Sequence, residues 1–201
     1  MITCVIHDYD GTLVNSMKAV YNAYTVILGK PLGYVIKNYD SDWRAFLKKE
    51  GKEEPEDGVW KGLIEKFGTE LFKGTKDYLK KLKADGYKLA IVTSTGFDIV
   101  DCEIKKNGLS ETFKVIISSD DVKLLKPDPE SLLLAVKKLG SKIENCVYVG
   151  DTDADAIAAK RIGMKFVGVS WGCQKPSVLR SINNDRIASN FTELYEIIKN
   201  M

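Results

Sequence analysis

The chain has 201 residues, room for one α/β domain with an insertion or for two small domains at most. Hydrophobic residues make up 44% and charged residues 29%, the balance of a globular protein with a core, and no apolar run approaches the roughly 20 residues that span a bilayer. The net charge of +2 comes from interleaved Lys and Glu without a basic block, which gives no electrostatic case for nucleic acid and leaves small anionic substrates open.

Ile2 to His7 reads as a buried strand, expected at the centre of a sheet. Residues 15–73 then show helical stretches at Ser16 to Leu28, Asp42 to Lys49 and Val59 to Phe67, broken at 29–33 and 51–58, with no convincing strand. Thr75 to Ala84 is apolar at Tyr78, Leu79 and Leu82, an amphipathic helix stopped by Asp85-Gly86. Strands follow at 88–93, 114–118, 146–149 and 165–169, alternating with helices at 98–106, 127–139, 152–162 and 191–199. Such alternation predicts βαβ units and a mainly parallel sheet. The expected fold is α/β: a Rossmann-like three-layer core from residues 1–14 and 74–201, with a small helical domain, 15–73, inserted after the first strand.

Four scattered cysteines (Cys4, Cys102, Cys146, Cys173) show no metal-ligand spacing and read as buried free thiols. The opening residues lack a basic leader and are too short for a signal-peptide core, so a cytoplasmic location is expected.

In open parallel sheets ligands bind beyond the carboxyl ends of the strands. Here those ends carry Asp8-Tyr9-Asp10-Gly11-Thr12, Thr93-Ser94, Lys126-Pro127-Asp128-Pro129 after the next strand, and Gly150-Asp151-Thr152-Asp153-Ala154-Asp155. Carboxylates of Asp8, Asp10 and Asp151 crowded together repel one another, and a hard cation such as Mg2+ relieves that repulsion while keeping positions for phosphate oxygens. A carboxylate beside it can attack phosphorus, with lysine and threonine holding the remaining oxygens. The residue types suit phosphoryl transfer.

These four segments, in this order, resemble the motifs of the haloacid dehalogenase-like hydrolases, most closely the phosphoglycolate phosphatase-like branch, over nearly the whole chain. The resemblance implies Asp8 as nucleophile and Asp10 as general acid and base. It implies a phosphate cradle of Thr93, Ser94 and Lys126. It implies Mg2+ on Asp8, the backbone carbonyl of Asp10 and Asp151, with Asp155 acting through a water or by orienting Asp151. Because the long insertion follows Val14 and the stretch from Thr93 to Lys126 holds only one helix and one strand, the resemblance makes 15–73 a helical cap over the substrate. It implies a small phosphorylated metabolite such as phosphoglycolate, a sugar phosphate or a nucleotide, with pyrophosphate open, and a monomer or homodimer.

Asp10 argues against dehalogenase and phosphonate-cleaving branches, which lack an acid there. A phosphomutase of the β-phosphoglucomutase type and a catalytically silent binding protein stay as alternatives. His7, the lone histidine, is expected in the core, since strand alternation turns it away from Asp8. Asp153 reads as a first-turn helix acid, Asp120 and Asp121 as solvated loop acids, and Trp43, Arg44, Lys48 and Lys49 receive no role.

Overall fold

The computed structural model describes residues 1–40, 42–56, 58–183 and 186–201, so the predicted breaks at 29–33 and 51–58 are described except for residue 57. Six strands form one sheet: β1 (Cys4–His7), β4 (Lys88–Val92), β5 (Val115–Ile117), β6 (Cys146–Gly150), β7 (Lys165–Val169) and β8 (Ile187–Ala188), in the order β5-β4-β1-β6-β7-β8. All its pairings are parallel, and β1 lies in the middle with Val5 registered against Leu89 on one side and Val147 on the other. The chain winds outward from β1 through β4 to β5, then crosses back to β6 on the other side of β1. That reversal opens a crevice beyond the ends of β1 and β6, where open α/β sheets hold ligands.

Both faces of the sheet are buried, which explains why the strands read as apolar runs rather than alternations. Val5, Val147 and Val149 point to one face and pack with Leu79 and Leu82 of α5 (Thr75–Ala84) and Leu194 and Ile198 of α10 (Phe191–Lys199). Cys4, Ile6 and Tyr148 point to the other and meet Leu132 and Ala135 of α7 (Glu130–Leu139) and Ala156 and Ala159 of α8 (Asp153–Arg161). The two helix layers enclosing a parallel sheet make the three-layer α/β architecture expected from the sequence.

Between Val14 and Gly74 the chain forms four helices, α1 (Met17–Leu28), α2 (Leu32–Asn38), α3 (Trp43–Lys49) and α4 (Val59–Phe67). They share a small core of Tyr24, Leu28, Val35, Phe46 and Leu47. The Tyr24 ring meets Phe46 and Trp60 edge-on at centroid distances of 4.9 and 4.8 Å. No helix among the described residues is long and apolar enough to cross a membrane.

The elements depart from the sequence reading where they are short. Residues 29–33, expected as a break, hold only the turn: Gly29 closes α1 in the left-handed region (φ 66°) and Pro31 starts α2 at once. The helix expected from Pro127 begins at Glu130, because Pro127 and Pro129 hold the backbone in the preceding turn. An α-helix, α9 (Pro176–Asn183), and the two-residue edge strand β8 were not expected from the sequence. The stretch read as free of strands is entered and left through a small antiparallel ribbon, β2 (Val14–Asn15) against β3 (Glu70–Leu71). Two residues per strand are too few to show a period of two.

Candidate active site

The crevice at the end of β1 and β6 gathers the polar strand ends. Asp8, Lys126, Asp151 and Asp155 are each at most 5% exposed. One carboxylate oxygen from each of Asp8, Asp151 and Asp155 lies within 4.8 Å of the others. Lys126 Nζ sits between two of them, 2.8 Å from Asp8 Oδ1 and 2.7 Å from Asp155 Oδ1.

Each group is held differently. Asp155 has both oxygens engaged: Oδ1 accepts from Lys126 and from the Tyr148 hydroxyl at 2.7 Å, and Oδ2 accepts from the Thr152 N–H at 3.0 Å and its hydroxyl at 2.6 Å. The Thr152 hydroxyl accepts in turn from the Asp155 N–H, so this is a capping box at the start of α8 that also aims Asp155 at the lysine. Asp151 takes its bonds elsewhere, from the Thr12 hydroxyl (2.9 Å, to Oδ1) and the Cys173 N–H (2.6 Å, to Oδ2). Thr12 and Cys173 therefore orient Asp151, while Asp155 orients Lys126. The Asp8 N–H donates to the Val149 carbonyl, and among the described residues its side chain meets only Lys126, through Oδ1, with no hydrogen-bond partner at Oδ2.

Two glycines leave Asp151 its space. A Cβ on Gly11, whose φ of +76° already disfavours other residues, would lie 2.3 Å from Asp151 Oδ2, and one on Gly172 would lie 2.3 Å from Asp151 Cβ. The Thr12 carbonyl is fixed from outside by Trp171 Nε1 at 3.0 Å.

Three buried carboxylates facing one ammonium leave negative charge uncompensated. Burial pushes the Asp8 carboxyl well above the usual range, with Asp155 and Asp151 adding to the rise against Lys126. Burial and Asp155 push Asp151 up to about 7. Burial acts on Asp155 in the same direction, but Lys126, Thr152 and Tyr148 together hold it below the ordinary value. The Lys126 ammonium is secured by Asp155 and Asp8, which outweigh its own burial. A divalent cation matches this donor set: hard oxygens, excess negative charge, and an Asp8 oxygen with room for another partner.

The remaining sequence candidates lie around this centre. Asp10 stands apart from the buried trio; its Oδ2 accepts from Thr95 Oγ1 at 2.6 Å and, more weakly, from Thr93 Oγ1 at 3.5 Å. Thr93 also accepts from the Thr95 N–H at 3.1 Å. Ser94 lines the cavity, and its carbonyl accepts from Trp43 Nε1 at 2.8 Å. Arg44 stacks over the Trp43 ring, with Nη2 donating to the Ser119 carbonyl at 3.3 Å. Trp43 and Arg44, left without a role by the sequence, thus tie α3 to the loops after β4 and β5.

His7 behaves as expected: it is buried, its Nε2 meets the Tyr78 hydroxyl at 2.9 Å, and burial holds its pKa down at about 3. Asp153 is in the first turn of α8, bonded to Gln174. Asp120 accepts from the Phe97 N–H and edges the cavity, whereas Asp121 caps Ser118 and pairs with Lys138. The sequence reading missed Thr95, Tyr148 and the Cys173 N–H. Tyr148 left one signal, a phenol within an otherwise apolar buried strand.

An acidic pocket at the switch point of a parallel sheet, covered by helices, is the arrangement of an α/β enzyme. Residues 5–169 match the haloacid dehalogenase-like hydrolases, and the chain belongs to that family. It is 28% identical over 211 residues to pyrophosphatase PpaX of Bacillus cereus (strain AH820), covering 100% of this chain and 98% of that one. It is 27% identical over 221 residues to pyrophosphatase PpaX of Bacillus velezensis, covering 98% and 96%. A hydrolase from Pseudomonas syringae of known crystal structure superposes with a TM-score of 0.85 at 25% identity, over 99% of each chain.

Proposed function

We propose that the protein hydrolyses a small phosphate monoester with Mg2+ as its metal, through an aspartyl-phosphate on Asp8. The observation that carries this reading is the state of Asp8: buried at the cavity, held by Lys126 through one oxygen, and with no partner at the other among the described residues. Asp8, Asp151 and the Asp10 carbonyl would hold the ion, with Asp155 behind them. When bound, the ion offsets charge on the transferring phosphoryl group.

Asp8 attacks phosphorus and the bond from phosphorus to the alcohol oxygen breaks. Asp10, kept in place by Thr95, gives its proton to that oxygen and the alcohol departs. The Asp10 carboxylate then takes a proton from water as the water oxygen attacks the acyl-phosphate. The bond from phosphorus to Asp8 breaks, restoring the carboxylate and releasing inorganic phosphate. Thr93, Ser94 and Lys126 hold the phosphoryl oxygens. In this reading residues 1–14 and 74–201 are the catalytic core, and 15–73 is the cap that closes over the substrate and excludes bulk water while Asp8 attacks phosphorus.

Phosphate release from p-nitrophenyl phosphate, phosphoglycolate, sugar phosphates, nucleotides and pyrophosphate tests the reading. Release is expected with Mg2+, is lost in EDTA, and is lost in Asp8→Asn. Release that survives Asp8→Asn would remove the covalent step. Silence across all esters from folded, Mg2+-supplied protein would favour a mutase or a binding protein.

A further inference from the structure

The cavity above Asp8 has a volume of about 190 Å³ and walls of two kinds. Its floor holds the phosphoryl machinery. Its upper wall, built by the helical insertion, is apolar and aromatic: Met17, Val20, Tyr24, Tyr39, Trp43 and Trp60. The charged side chains around the cavity above that floor are of one sign: Glu54 from the insertion, and Glu103 and Asp120 from the core. Among the described lining residues the only cation is Lys126, already shared between Asp8 and Asp155. The Tyr24 and Tyr39 phenols are neutral near pH 7, and burial raises them further from ionisation, so they add no charge.

A substrate bearing a second anionic group, such as the carboxylate of phosphoglycolate or the second phosphate of pyrophosphate, would place it against aromatic rings and carboxylates with no cation to meet it. Removing that charge from water without a partner is strongly unfavourable. An alkyl or aryl group would instead replace water on apolar walls. Resting on the phosphatase reading above, we infer that the preferred substrates are phosphate monoesters whose alcohol is uncharged and apolar or aromatic. The insertion therefore selects for a hydrophobic leaving alcohol and against substrates that carry a second anionic group besides the phosphoryl group.

The test compares substrates with primary-alcohol leaving groups, so that leaving-group basicity does not set the order. Benzyl phosphate and n-hexyl phosphate are measured against phosphoglycolate and glycerol 3-phosphate, with pyrophosphate alongside and p-nitrophenyl phosphate as a generic probe. The expected result is a kcat/KM for benzyl and hexyl phosphate at least about tenfold above those of phosphoglycolate and pyrophosphate. Met17→Lys, which sets a cation in the wall, should narrow or invert that ratio by raising turnover of phosphoglycolate; Val20→Arg repeats the test should Met17→Lys not fold. Asp8-dependent release that favours phosphoglycolate or pyrophosphate would overturn the inference and leave the phosphatase reading standing. An unchanged ratio in a folded Met17→Lys or Val20→Arg protein would also overturn it. Absence of release from every compound, p-nitrophenyl phosphate included, would overturn both.

Discussion

At the scale of single residues, the site separates two jobs that sequence spacing alone runs together. Asp151 is gripped by Thr12 and Cys173 beside Asp8, whereas the Asp10 side chain turns to Thr95 and Thr93. Asp151→Asn should therefore weaken Mg2+ binding, read by calorimetry, at least about tenfold, while Asp10→Asn leaves it nearly unchanged and cuts the rate severely. Equal losses of affinity in the two variants would count against that division. Glu103, buried on α6 (Phe97–Lys106) with Thr69 donating to it, offers a pH test away from the metal-binding carboxylates. Burial raises its carboxyl above the usual value. The folded protein then keeps the Glu103 proton to higher pH than the unfolded chain, so its contribution to stability is present in acid and lost as pH rises through the folded value. Glu103→Gln should raise the urea midpoint relative to the parent more at pH 8 than at pH 5. Parallel pH curves for the two proteins would refute this.

At the scale of elements, α3 matters through one bond. The Trp43 indole donates to the carbonyl of Ser94, joining the helical insertion to the loop after β4. Trp43→Phe keeps an apolar ring and deletes the donor, a loss of about 1 kcal/mol for a neutral hydrogen bond. If the insertion closes over the substrate, this change should raise KM several-fold with only a small effect on kcat. Identical steady-state constants would show that the bond has no part in closure. The base of the insertion is the β2–β3 ribbon, where entry and exit are paired side by side.

At the scale of the whole molecule, the sequence shows the repeating part of the fold and hides its irregular parts. The helix α5 is legible because Tyr78, Leu79 and Leu82 fall on one face, and β4 because Leu89 to Val92 is apolar throughout, as burial on both faces requires. The ribbon strands, β8 and α2 are too short for any period to emerge. Convergence of Asp8, Lys126, Asp151 and Asp155 follows from strand ends meeting at one edge of a parallel sheet, so types and order suffice to suggest it. The supporting bonds do not follow. Cys173 acts through its backbone N–H, which carries no residue identity, and Thr12, Tyr148 and Trp171 reach partners that only the folded topology brings near.

The measurement that bears most directly on the central claim is capture of the acyl-phosphate. Asp10→Asn protein, slowed in the water step, is mixed with Mg2+ and p-nitrophenyl phosphate, quenched in acid and mapped by peptide mass spectrometry. One phosphoryl group is expected on the peptide containing Asp8, absent when Asp8 is also changed to Asn. Multiple-turnover phosphate release with no phosphorylated peptide at any quench time, or a phosphoryl group on another residue, would contradict that claim.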